Sequence, residues 1–252
     1  MRAAGRPVLM ALAVVTTVLA ASAPQAAGRG SSAIVGVTDI GKGARETWVI
    51  LPSDDPPTCI AVFLHSAGDP TPSRYLGWLD HLALGESCAV VFPRYQLTGN
   101  SVPANLGDLR AGVSAGIVHL RRARYGFERR RGPTTLRTVV AGVGLGGSLA
   151  FYYAANAKRW GLPVPAAIDS IFPTAGRLPG VPLAPTPSSA RVLVQVGDED
   201  RPAAAALREY LASHPASHKR FQTVRKKNDA PLETTDFSVN TFWSPLDALI
   251  DG

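Results

Sequence analysis

The chain has 252 residues, 46% of them hydrophobic and 18% charged, which suits a single full core. There is no long low-complexity tract and no internal repeat, so solenoid and array architectures are excluded. The formal charge of +7 falls to +5 without Arg2 and Arg6, and much of the remaining excess sits in "HLRRARYGFERRRG". Only Tyr125 and Phe127 interleave with those cations, so the run reads as the solvated face and end of a helix, and no nucleic-acid partner is expected.

The N-terminus has the layout of an export signal. Arg2 and Arg6 form a charged region, "PVLMALAVVTTVLAA" an apolar one, and "ASAPQAAG" a zone of small residues. Residues 1–27 are therefore read as a signal peptide and residues 28–252 as one domain lying outside the cytoplasm, secreted, periplasmic or at the cell surface. An uncleaved anchor is the other reading, because residues 7–23 approach the minimum spanning length; membrane contact is expected only in that case.

Further along, "AIVGVTD" and "ETWVILP" alternate like an antiparallel edge pair joined by the turn-prone "IGKGAR". The short apolar runs "CIAVFLH", "CAVVFP", "LRTVVAG", "AAIDSIFP", "RVLVQVGDED" and "RFQTVRK" then recur as strands. Between them lie the helix-like "SRYLGWLDHLALGE", "LGDLRAGVSAGIVHLRRARYG", "SLAFYYAANAKRWG" and "RPAAAALREYLASH". Strands alternating with helices imply an α/β fold, a mainly parallel sheet covered on both faces. Cys59 and Cys88 each open one of the apolar runs; they pair if their strands are neighbours, and otherwise stay buried thiols.

The stretch "AGVGLGGSLA" sits between a strand and a helix and supports two chemistries. Gly142, Gly144 and Gly147 match G-x-G-x-x-G, and Asp169 follows 22 residues after Gly147, as a dinucleotide fingerprint requires. That motif is short and normally opens the first βαβ unit, whereas here several strands precede it. The same residues also align with the elbow G-x-S-x-G, with Gly144 at the serine position.

With "GKGARETWVILP", "AVFLHSAGDPTPSRYLGWLDHLA", "VVFPRYQ", "AGVGLGGSLA", "GLPVPAAIDSIFP", "VQVGDED" and "FWSPLDALIDG" in order over roughly residues 41–251, the chain resembles a secreted α/β-hydrolase of the esterase/lipase type. The resemblance implies an eight-stranded, mostly parallel sheet with catalytic groups at strand ends in the order nucleophile, acid, histidine. Carried over residue by residue, the nucleophile position is Gly144, which has no side chain. The acid position is Asp200, with Asp198 as second choice, and Asp200 also suits a helix cap before Pro202. The histidine position holds Asn228 and Asp229. Leu145 and Ser66 stand where the oxyanion donors belong, Ser66 replacing the glycine of a His-Gly pair after His65.

Nucleophile and base are thus both missing, so the sequence reads as a pseudoenzyme: a non-catalytic or severely impaired hydrolase binding an unknown small molecule or protein. An esterase with another nucleophile, Ser66 or Ser148, is the alternative. Ser148 falls inside the helix after the elbow, where a satisfied helical serine is the simpler role. His81 and His119 lie within helices, and His214 and His218 are expected to be solvated. No histidine pair has metal-ligand spacing, so neither metal nor cofactor is expected.

Overall fold

The computed structural model describes residues 36–52, 56–97, 102–122, 136–174, 186–198, 201–216, 218–225 and 234–251. Residues 1–27, Asp200, Asn228 and Asp229 lie outside the described residues, as do Arg124, Arg129, Arg130 and Arg131 of the basic run.

Eight strands form one sheet: β1 (Gly36–Ile40), β2 (Thr47–Leu51), β3 (Cys59–Leu64), β4 (Cys88–Pro93), β5 (Arg137–Val143), β6 (Ala167–Ile171), β7 (Arg191–Gly197) and β8 (Lys219–Val224). Their spatial order is β1-β2-β4-β3-β5-β6-β7-β8. β2 pairs antiparallel with both β1 and β4, and every other pairing is parallel. This is the eight-stranded, mostly parallel sheet that the resemblance implied.

The strands are apolar on both faces because helices cover both. On one side Val62, Leu64 and Val140 pack against α2 (Val102–Arg122), α3 (Leu145–Trp160) and α4 (Arg201–Ser213), through Val113, Leu149 and Leu207 among others. On the other, Ala61, Phe63, Val90 and Phe92 meet α1 (Leu76–Asp80) and the chain's closing segment. That segment is a short turn of helix, α5 (Asp236–Ser238), a π-turn (Val239–Trp243) and α6 (Ser244–Asp251). Full burial of one such side chain stabilises by roughly 1.5–3 kcal/mol, so both layers contribute heavily.

Polar contacts fix the closing segment in place. Gln195 Nε2 donates to the Thr241 carbonyl at 2.6 Å, and the Arg191 guanidinium donates to the carbonyls of Ala248 and Leu249, near the last turn of α6. Trp78 stacks on Trp243 at 6.1 Å.

The Cys59 and Cys88 question resolves as a disulfide. The two residues are register partners on β3 and β4, with Cα atoms 4.6 Å apart, within bridging range. One expectation needs correction: His214 is buried rather than solvated. Its Nε2 meets the Thr186 hydroxyl and its Nδ1 accepts from the Ala216 amide at 3.1 Å, because the chain leaving α4 folds back on itself. His218, before β8, is exposed as expected. Arg121 and Arg122 are exposed in the last turn of α2.

At the far edge, β8 begins with exposed Lys219 and Arg220, and the Arg208 guanidinium lies 4.6 Å over the Phe221 ring. Among the described residues no helix is long and apolar enough to cross a membrane.

Candidate active site and its vacant nucleophile position

β5 passes into α3 through a single residue, Gly144, with φ 58° and ψ −118°. That backbone is poorly accessible to a residue with a Cβ and costs about 1–3 kcal/mol when a side chain is forced into it. The turn is held on both sides: the Gly144 amide donates to the Ile171 carbonyl at 2.9 Å, and the Gly144 carbonyl accepts from Ser148 and Thr174. The neighbouring glycines serve packing. A Cβ at Gly146 would overlap the Leu64 carbonyl and stand 2.6 Å from that of His65, and one at Gly147 would stand 2.9 Å from the Ile171 carbonyl. α3 therefore lies backbone to backbone against β3 and β6. The geometry is an elbow with Gly144 at its apex, as the glycine spacing suggested.

Ser66 faces the apex. Its Oγ lies 2.6 Å from the point where a Cβ at residue 144 would stand, so the hydroxyl occupies space that a nucleophile's side chain would need. The Ser66 amide, at an expected oxyanion-donor position, donates instead to the Tyr75 hydroxyl at 2.7 Å. Tyr75 is fully buried and wedged edge-on against Phe63 at 5.3 Å, which aims its oxygen at that amide. Burial pushes the Tyr75 hydroxyl up to about 12, so it stays protonated. Leu145, the other donor position, is the first residue of α3.

His65 precedes Ser66, with its ring turned into the protein interior. The ring is completely buried and stacks on Tyr95 at 4.0 Å, with Nδ1 2.7 Å from the Ser66 carbonyl. Its Nε2 has no hydrogen-bond partner among the described residues. Burial is the main cause that lowers its pKa from 6.5 to about 4, and it is neutral at pH 7.

The other expected residues are scattered. Asp198 follows β7, exposed, with its amide bonded to the Val224 carbonyl at 3.0 Å. Ser148 is fully buried in the first turns of α3, its Oγ 3.3 Å from the Thr174 hydroxyl. His119 is in the last turn of α2, and His81 contacts Asp247. None of the five histidines of the chain stands in the loop after β8.

Asp169, the acid of the dinucleotide fingerprint, lies mid-strand in β6 and is fully buried. Both of its carboxylate oxygens lack a partner among the described residues, and burial raises its pKa well above the usual carboxylate range. It is out of reach of a ribose, and of the glycines that would cradle a pyrophosphate, Gly142 and Gly147 are packed against backbone and Gly144 against the Ser66 side chain. Among the described residues the dinucleotide reading has no site.

One group of metal-competent donors does form. His81, Glu86 and Asp247 come together at the start of β4, the opposite edge of the sheet from Gly144. No local pattern points to it, because Asp247 is 166 residues from His81.

No protein-family model and no curated protein matches the chain. Solved structures do. Carboxyl esterase 2 from the mycorrhizal fungus Tuber melanosporum superposes with a TM-score of 0.62 at 15% identity, over 90% of this chain and 89% of that one. A thermostable esterase from Pseudomonas putida gives 0.62 at 15% over 86% and 83%, and a bacterial heroin esterase 0.62 at 15% over 86% and 84%. With its strand order and elbow, the protein has the α/β-hydrolase fold, and its structural neighbours are esterases.

Proposed function

We propose that this protein is a non-catalytic or severely impaired member of the α/β-hydrolase fold, acting outside the cytoplasm by binding a small-molecule or protein ligand. The observation that carries this reading is Gly144 at the apex of the elbow. Acyl transfer needs a nucleophile there, and in a working triad loss of the serine alone costs on the order of a million-fold in turnover. The bonding of the Ser66 amide to Tyr75 and the buried, neutral His65 support it. The Cys59–Cys88 bridge fits an oxidising compartment, in keeping with residues 1–27 as a signal peptide.

Ser66 motivates the second reading, an esterase with a relocated nucleophile, because its hydroxyl lies beside the vacant position. A base is what that reading lacks among the described residues.

Turnover of short-chain p-nitrophenyl esters should stay at background. Enzyme-like rates that vanish on Asp200→Ala would sink the proposal, and a fluorophosphonate probe labelling Ser66 alone would favour the second reading. The restoration experiment combines Gly144→Ser with Asn228→His or Asp229→His. Ser66→Gly belongs in the same variant, because it clears the space beside the new Cβ without asking the Ser66 hydroxyl to move. Gain of esterase activity over the parent is the expected outcome if the acid and pocket are intact. N-terminal sequencing of exported protein tests the signal peptide.

A further inference from the structure

We propose that His81, Glu86 and Asp247 bind one divalent transition-metal ion of the zinc class at the N-terminal edge of the sheet. One ligand atom from each lies within 4.8 Å of the other two, and His81 Nε2 is 3.0 Å from both carboxylate oxygens of Asp247. Zinc bonds nitrogen and carboxylate oxygen at about 2.0–2.2 Å, so small side-chain rotations bring all three onto one ion. An imidazole with two carboxylates suits zinc, cobalt or manganese better than magnesium or calcium, which favour oxygen alone.

The local backbone brings two of the donors together. Residues His81–Gly85 form a π-turn, closed by the Glu86 amide donating to the His81 carbonyl at 3.2 Å. In an α-helix, position i+5 falls about 140° round the axis, so the two side chains would diverge. The i→i+5 turn brings them to one side instead, and such turns occur frequently at functional sites. The His81 ring is also held in place: the Trp243 ring lies 5.2 Å away, and the missing side chain at Gly85 leaves room, since a Cβ there would stand 3.3 Å from Nδ1.

Charge favours a cation. Asp251, one turn beyond Asp247, adds a third carboxylate whose field reaches Glu86. Glu86 and Asp247 are the two carboxylates that act on the His81 imidazole. The nearby cation Arg191 is engaged with the Ala248 and Leu249 carbonyls. His81 and Asp247 remain partly exposed, their side chains 26% and 19% accessible, so an ion can enter from solvent. With three protein donors and water completing the coordination, far from the elbow, the ion would clasp α6 to the start of β4.

The test uses the untagged mature chain, stripped with EDTA and titrated with Zn²⁺ by calorimetry and thermal melting. One equivalent should bind. The melting temperature should rise about 5–10 °C at a free concentration a hundred times Kd, and fall back with EDTA. Glu86→Gln and Asp247→Asn should each weaken binding at least tenfold. In the unmutated protein, imidazole resonances of His81 should shift on adding Zn²⁺ while those of the other histidines stay. No binding at millimolar Zn²⁺, unchanged affinity in Glu86→Gln, or shifts at other histidines would overturn the proposal.

Discussion

At the C-terminal edge of the parallel strands, Gly144 offers no side chain, the Ser66 amide is taken by Tyr75, and His65 is buried and neutral. At the N-terminal edge, a disulfide joins β3 to β4, His81 holds Asp247, and Arg191 holds the end of α6. In open α/β sheets ligands bind beyond the carboxyl ends of the strands. Here that edge carries an elbow with no side chain at its apex, while the donors His81, Glu86 and Asp247 gather at the other. The elbow rests on close backbone packing at Gly146 and Gly147, on either side of which lie Leu64 and Ile171.

Substitutions can break that contrast. The largest effect is expected from Gly146→Ala, whose Cβ would overlap the Leu64 carbonyl; backbone cannot step aside as a side chain can, so a loss of about 3 kcal/mol or more is expected in urea melts. At the opposite edge, Cys59→Ala with Cys88→Ala should cost about 2–5 kcal/mol, read in the same assay. If Gly146→Ala proved the milder, close packing would not be what maintains the elbow.

Titration sharpens the comparison within the C-terminal half of the sheet. The folded-state pKa of His65 is depressed, so the unfolded chain binds more protons between pH 6.5 and about 4. Its contribution is present above that window and is lost as pH falls through it, by roughly 3 kcal/mol. His65→Phe, which keeps the stacking on Tyr95, should remove that slope from denaturation curves. Asp169 acts in the opposite sense. Its folded pKa is raised, so stability falls as pH climbs above the ordinary carboxylate range, and Asp169→Asn should be more stable than the parent at pH 8. The smallest effect is at the apex: Gly144→Ala should lose about 1–3 kcal/mol for the strained backbone, with the Ser66 hydroxyl rotating away.

The alternation of apolar runs and helical segments made the sheet legible from sequence, because each strand announces itself within a few residues. The elbow was legible too, since the glycines at 142, 144, 146 and 147 answer a local backbone demand. What escaped depends on distant partners. Tyr75 bonding the Ser66 amide, His214 turned inward onto Thr186, and His81 meeting Asp247 are set by how helices dock on the sheet. Local periodicity carries no trace of such docking. Nor does it reveal the π-turn at residues 81–85, whose composition suits an ordinary helix equally well.

The last strand of the sheet shows how its open side is kept to itself. An unpaired strand edge is a template on which another chain can extend the sheet. β8 opens with exposed Lys219 and Arg220, and Arg208 covers the Phe221 ring. A second molecule pairing along β8 would have to bring its backbone alongside these cations and strip them of water, so strand-to-strand growth is discouraged at the outset.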